Sequence, residues 1–377
     1  MAGKQYYLQA TIIIIYISFS ELTCCLSQPS NGQHNQEGKS YLKGMFVFGT
    51  SVVDNGNNNF IKGSLSKANY KPYGIDFPSG PTGRYCDGRN VADSVCHLLN
   101  LPLIPSFSDP NTKPNSVIHG VNYGSGGCGI LDDTGSITGG VITMNQQIKN
   151  FEEVTLPELK KLLGNNSTEK LGQYLFMIAA GNNDFEMNYF LQKSSSRPSV
   201  PVFVNNLTST FSNQLKRLYS VGARNLALLT VYPIGCTPVV MEETRSPKCV
   251  HLVNQAAHYF NVQLKLLLDD LKRKLPGFNF VLVNTYKIIR DIIKNPAARG
   301  FSNAASPCCE LLKVKGAGLL CKEGGQVCSN RSSYVYFDGQ HNTEAVNAII
   351  AAKAFSSNRK SEVYPLNLQM LAQQGSN

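Results

Sequence analysis

The chain is 377 residues long, with 42% hydrophobic and 16% charged residues, and its 35 basic against 25 acidic side chains give a formal net charge of +10. That length allows a large folded core, and a length prior alone would admit two domains. The basic residues are scattered, with no run of five or six and no arginine-striped helix, so they imply a solvated basic surface and no nucleic-acid partner.

In chain order, Lys4, the apolar run Ala10 to Phe19 and the small residues around Cys24 to Ser27 make the three-part pattern of a secretory signal peptide over residues 1–27. The run is too short to cross a bilayer comfortably, and no later stretch approaches a span, so no transmembrane anchor is expected. Residues 28–40 are polar and read as a disordered leader. With no internal repeat and no mid-chain linker, a single domain is expected over 41–377.

Met45 to Gly49 reads as a buried strand, as do Tyr174 to Ala180, Asn225 to Val231 and Phe278 to Val283, each short and largely apolar. Helical patterns lie at Asn145 to Leu163, Val202 to Tyr219 and Val250 to Leu275, the last with Leu264, Leu267, Leu268 and Leu271 on one stripe. A further apolar helix is expected over Ala345 to Phe355, capped by Asn342 or Thr343. Strands alternating with helices predict an α/β fold whose parallel sheet is covered on both faces. Sites in such sheets form at the carboxyl ends of the strands.

The first strand runs directly into Gly49-Thr50-Ser51, followed by Asp54 and the asparagines 55 and 57–59. A serine just past a strand end, beside a glycine that permits a sharp turn, is placed to project its hydroxyl into a cleft. Taken alone, an incidental turn serine is an equal reading. A serine nucleophile needs a base, and the chain has six histidines. His34 falls in the leader, His97 in an apolar helical stretch, His119 in a glycine-flanked loop, and His251 and His258 on the long helix. His341 differs, because Asp338 precedes it by three residues across a glycine-containing turn, where a carboxylate reaches the imidazole Nδ1. Oxyanion donors are offered by Asn183, directly after the strand ending at Ala180, and by the backbone of the loop Gly120 to Gly135. That loop holds a formal G-x-G-x-x-G (Gly124, Gly126, Gly129), but neither a preceding strand nor a following helix start supports a dinucleotide site.

Export makes the cysteines read as disulfides. Of eleven, Cys24 and Cys25 would leave with the signal, and nine remain. Cys236 with Cys249 would close a short loop, and Cys308, Cys309, Cys321 and Cys328 would form two bridges around a glycine-rich loop. An odd count leaves at least one thiol unpaired. Zinc is disfavoured, since no C-x2-C pair and no histidine at ligand spacing are present. Glycosylation sequons stand at Asn165, Asn166, Asn206 and Asn330.

Together and in this order, these segments resemble the signature blocks of the plant GDSL esterase/lipase family within the SGNH hydrolases. The likeness runs from Phe46 to Leu371 and includes Tyr73 to Arg84, Tyr232 to Pro238, the Cys308 and Cys309 pair, and the closing Pro365 to Leu368. It implies a flavodoxin-like three-layer α/β/α sandwich with a central parallel sheet of about five strands. It also implies a secreted protein, extracellular or in the cell wall, that hydrolyses small or polymeric carboxylic esters as a monomer without metal or organic cofactor. Position by position, Ser51 matches the nucleophile, Asp338 and His341 the acid and base, and Asn183 the oxyanion asparagine. The oxyanion glycine matches Gly126, with Gly127 one residue away.

The chain departs from that pattern in three places. Thr50 stands where an aspartate that would anchor the serine loop is usual, Phe337 where a tryptophan is usual, and Asn342 where a proline is usual. Two readings therefore stay open: an active ester hydrolase, or a catalytically weakened relative binding acyl or carbohydrate ligands at the same cleft. An acyltransferase would use the same residues. The resemblance does not choose among lipid, polyester, acetylated polysaccharide and small acyl substrates, although the lack of a lid-like apolar helix disfavours an interfacial lipase.

Overall fold

Four largely apolar runs form the parallel core of a sheet: β1 (Gly44–Gly49), β2 (Tyr174–Ala179), β3 (Asn225–Leu229) and β4 (Asn279–Val283). They lie side by side in sequence order, with Phe46 beside Phe176, Phe176 beside Leu226 and Leu226 beside Phe280. Such strands are apolar on both faces because helices cover both. The fifth strand, β5 (Val363–Tyr364), is two residues long and pairs antiparallel with β4, so the sheet is not wholly parallel as the resemblance implied. This computed structural model describes residues 41–112, 114–164, 167–190, 197–314 and 318–374, all within one compact unit. The expected signal peptide and leader, and the sequons Asn165 and Asn166, lie outside them.

Beyond β1, residues 121–125 run alongside as an irregular strand. Val47 N–H donates to Val121 C=O at 3.0 Å, Tyr123 N–H to Val47 C=O at 2.8 Å, and Ser125 N–H to Gly49 C=O at 2.9 Å. This segment occupies the place of the missing outer strand of a flavodoxin-like order. It also carries the Gly126 loop to the carboxyl end of β1.

The main helices are α1 (Val91–Leu98), α2 (Met144–Asn150), α3 (Val200–Ser220), α4 (His251–Lys274), α5 (Thr285–Lys294) and α6 (Glu344–Ser356). They pack in two groups, α1 and α5 on α6, and α2 and α4 on α3, and both groups touch the sheet. The helix expected over 145–163 is present as one continuous helical run from Met144 to Leu163. After α2 it widens to a π-helical turn at Phe151–Thr155 and tightens again over Leu156–Leu163, with proline in the first turn of that last part. The widening goes with Phe151 lying fully in the core, 4.9 Å from the Phe46 ring and 5.6 Å from Phe176. Among the described residues, no helix is long and apolar enough to cross a membrane.

The start of α1 carries a buried ion pair. Asn90 and Asp93 form a reciprocal capping box, and Arg84 donates from Nε and Nη2 to the Asp93 carboxylate at 2.6 and 2.8 Å. Both side chains are almost completely buried. Removing only the guanidinium strands a charge in the interior, which costs about 3–5 kcal/mol. Arg84→Met is therefore expected to lower the melting temperature by roughly 5–10 °C, and adding Asp93→Asn to recover part of that loss. Calorimetry on the two variants checks this, and a double variant no more stable than the single one contradicts it.

Candidate active site

Ser51 owes its position to the way β1 ends. Gly49 has φ +135°, and a Cβ there would lie 2.1 Å from the Ala179 carbonyl oxygen, so only glycine fits. Thr50 N–H donates to that same carbonyl at 3.0 Å, while the N–H groups of Val53 and Asp54 donate to Thr50 C=O. The resulting tight turn puts Ser51 at its bend. Gln147 on α2 brackets the turn from below, accepting from Gly49 N–H at 2.8 Å and donating to Gly49 C=O at 2.9 Å.

The residue pair that sequence spacing singled out arrives from the loop before α6. Ser51 Oγ lies 2.7 Å from His341 Nε2, and His341 Nδ1 lies 2.9 and 2.8 Å from the two oxygens of Asp338. Asp338 is fully buried, and its Oδ1 accepts from the N–H groups of Gln340 and His341 at 2.8 Å each. Its Oδ2 accepts from the Tyr73 hydroxyl at 2.6 Å. Burial, reinforced by the neighbouring Asp338, pushes the Tyr73 phenol well above its usual range, so it keeps the proton it donates. With the carboxylate on Nδ1, that nitrogen carries the imidazole proton and Nε2 is left to accept from the serine. Ser51 and His341 open into a cleft of about 290 Å3, mouth included, whose other walls include Tyr85, Asn90, Tyr232 and Asn347.

Three oxyanion donors were expected around this serine. Ser51 N–H has no hydrogen-bond partner among the described residues, and Asn183 spends one amide hydrogen on Cys128 C=O at 2.9 Å, leaving the other. Gly126 does not fit the expectation, because its N–H donates to Asp54 Oδ2 at 3.0 Å. The neighbouring Gly127 N–H has no partner among the described residues, and the peptide joining the two is anchored by Asn58 Nδ2 on Gly126 C=O at 2.8 Å. In a trans peptide the N–H points opposite to the C=O, so Gly127 is the residue with a donor to spare. The sequence left this one-residue ambiguity because it depends on where Asp54 reaches.

The comparison with known proteins decides the family. The GDSL-like lipase/acylhydrolase model matches residues 45–354. The chain belongs to that family. Two GDSL esterase/lipases of Arabidopsis thaliana are each 40% identical to it, one over 340 residues (89% of this chain, 90% of the relative) and one over 337 (87% and 90%). A third is 38% identical over 339 residues, covering 89% of this chain and 87% of the relative. This GDSL-family chain is an ester hydrolase, and among its described histidines it is His341 that lines the Ser51 cleft, whereas His258 packs against Tyr286 at 5.5 Å.

The anchor expected at position 50 is found at Asp54 instead. Thr50 is buried, and its hydroxyl accepts only a long bond of 3.4 Å from Val52 N–H. Asp54, fully buried, takes the N–H groups of Gly56 and Asn57 on Oδ1 at 2.8 Å and that of Gly126 on Oδ2. Burial raises its carboxyl to about 6 against the pull of those three donors, so it is ionised at neutral pH. The asparagines extend the same function: Asn57 Nδ2 donates to the carbonyls of Asn122 and Gly124, and Asn58 accepts from the Ser125 hydroxyl at 2.6 Å. Asp54→Ala is expected to lower kcat roughly 100-fold by loosening the serine and glycine loops together, while Thr50→Val changes it less than about threefold. Steady-state rates on p-nitrophenyl acetate check the contrast, and equal losses at the two positions contradict it.

A second buried carboxyl escaped sequence reasoning. Glu186 follows Asn183 by three residues, lies fully inside, and accepts on Oε1 from Gln340 Nε2 in the turn that carries Asp338 and His341. Its Oε2 has no partner among the described residues. Burial pushes the Glu186 carboxyl from 4.5 up to about 8, opposed by the bond from Gln340 and aided by Asp338. It therefore folds as the neutral acid. Because its folded pKa exceeds its unfolded one, its contribution to stability is complete below about pH 4.5 and is lost as pH rises through about 8. Glu186→Gln removes this loss, so the melting temperature of the variant relative to wild type should rise by roughly 5 °C between pH 5 and pH 8. A difference that does not change with pH contradicts the assignment.

The expected bridges are present as Cys236–Cys249, Cys308–Cys328 and Cys309–Cys321, leaving Cys86, Cys96 and Cys128 unpaired and buried. Cys309–Cys321 bears on the site. Cys321 N–H donates to the Tyr73 hydroxyl at 3.0 Å, and Gly339, inside the catalytic turn, donates to Leu319 C=O at 2.9 Å. A Cβ at Gly339 would lie 2.3 Å from the Leu319 side chain, so the bridged ribbon closes directly on the turn.

Proposed function

We propose that Ser51, His341 and Asp338 perform two-step acyl transfer to water on carboxylic esters. The observation that carries this is the unbroken line from Ser51 Oγ through His341 to Asp338, at 2.7 and 2.8 Å. His341 Nε2 takes the serine proton as Oγ attacks the ester carbonyl carbon, and buried Asp338 stabilises the imidazolium that forms. The developing oxyanion is held by Ser51 N–H, Gly127 N–H and the second amide hydrogen of Asn183. His341 then returns the proton to the departing alcohol, and a water molecule, deprotonated by the same nitrogen, releases the acid from Ser51. The intact geometry supports a working hydrolase over a weakened binding protein. An exported protein, outside the cell or in its wall, is supported by the pattern of residues 1–27, by three disulfides, and by the exposed sequons Asn206 and Asn330.

The purified protein should hydrolyse p-nitrophenyl acetate, with Ser51→Ala reducing turnover to background. Asn183→Ala should lower kcat about 100- to 1,000-fold, the range for loss of one oxyanion donor. Wild-type turnover no faster than that of Ser51→Ala would overturn the proposal.

A further inference from the structure

The packing around Tyr73 accounts for its ring but not for its hydroxyl. The ring is completely buried in a small cluster distinct from the main core, edge-on to Tyr70 at 5.3 Å, to Phe337 at 5.7 Å and to Tyr85 at 6.1 Å. A phenylalanine would make the same contacts. The oxygen makes two bonds, accepting from Cys321 N–H at 3.0 Å and donating to Asp338 Oδ2 at 2.6 Å. A peptide N–H behind a phenol polarises it and strengthens the bond it donates.

The two oxygens of Asp338 are unequally provided for. Oδ1 accepts from the backbone N–H groups of Gln340 and His341 and also faces the imidazole Nδ1. Oδ2 faces the same nitrogen at 2.8 Å, and its further donor among the described residues is Tyr73. Backbone bonds to one oxygen alone leave a carboxylate free to twist about its Cβ–Cγ bond, and a donor on the other oxygen stops the twist. That donor also takes up part of the negative charge that the imidazole would otherwise meet in full.

The hydroxyl is itself held from outside the site. Tyr70 donates its hydroxyl to Cys321 C=O at 2.9 Å, and Cys321 is bridged to Cys309, whose N–H donates to Phe337 C=O at 3.0 Å, one residue before Asp338. Gly74, next to Tyr73, donates to Cys86 C=O at 2.9 Å. Tyr73 is not among the residues lining the Ser51 cleft, so it can act on the reaction only through Asp338. Resting on the hydrolase reading above, we propose that Tyr73 is a positioning residue: its hydroxyl sets the plane and the shared charge of Asp338, and thereby how strongly His341 Nε2 draws the Ser51 proton.

Tyr73→Phe keeps the ring and removes the oxygen. On p-nitrophenyl acetate it should lower kcat about 10-fold through a slightly misplaced acid–base pair, with KM within about twofold of wild type. The acid limb of its kcat/KM profile should move to higher pH by roughly half a unit, because an unshared Asp338 charge favours the imidazolium. Tyr70→Phe controls for a purely structural effect: it loosens Cys321 without removing a bond to Asp338, and its acid limb should stay in place. If Tyr73→Phe does not fold, 3-fluorotyrosine at position 73, a more acidic phenol, stands in; it donates more strongly and should move the limb to lower pH. Ser51-dependent turnover with an unmoved limb in Tyr73→Phe or its stand-in, or an equal shift in Tyr70→Phe, overturns the positioning role and leaves the hydrolase reading standing. No Ser51-dependent turnover in the wild type overturns both.

Discussion

The buried carboxylate of Asp338 is the constraint around which the site is built. An ion in the protein interior is tolerated only when its lone pairs are satisfied, and here the donors come from separate parts of the chain. Tyr73 supplies a hydroxyl, the catalytic turn supplies two N–H groups, and His341 supplies its ring N–H. Satisfying the charge therefore fixes the turn, the tautomer of the imidazole and the approach of Nε2 to Ser51. The Cys309–Cys321 bridge enters the same network through Cys321 N–H on Tyr73. A disulfide that looks remote in sequence thus helps hold Asp338 in place.

The opposite wall is held by amides instead of ions. Loops leaving the carboxyl ends of parallel strands carry backbone groups that no neighbouring strand pairs, and buried backbone groups need partners. Asn57, Asn58, Asn122, Gln147 and Asn183 supply them, each reaching a backbone carbonyl of a neighbouring loop or strand end. An amide both donates and accepts, so one side chain can tie two loops without a net charge. Asp54 is the charged member, and it joins the serine loop to the glycine loop. This arrangement makes the replacement of an aspartate by Thr50 tolerable, because the anchoring does not pass through position 50.

The strand ends beside the site are also part of the core. A recess beside the Ser51 cleft is walled by residues that simultaneously form the sheet and the α5 and α6 packing surfaces. Such residues cannot be exchanged freely without cost to the core.

Much of this was legible in sequence. The four parallel strands are largely apolar runs, a pattern that depends only on burial of both faces; Ser51 and Asn183 stood out by following strand ends, Asp338 and His341 by their mutual spacing, and the resemblance to the GDSL family joined the four. What was not legible depended on contacts between distant segments. The two-residue β5 has no pattern of its own and exists because β4 offers an edge. The widening of the helix at Phe151 goes with the packing of that ring against Phe46 and Phe176, which no helical periodicity encodes. Glu186 reads as a surface residue by type, and only the packing of its turn against Gln340 buries it. The choice between Gly126 and Gly127 turned on a single hydrogen bond, from Gly126 N–H to Asp54, seventy-two residues away in the chain. Local sequence thus determined the elements and the reactive groups, whereas the direction of each N–H and the room beside the serine were decided by tertiary contacts, because a hydrogen bond or a cavity wall belongs to two segments at once.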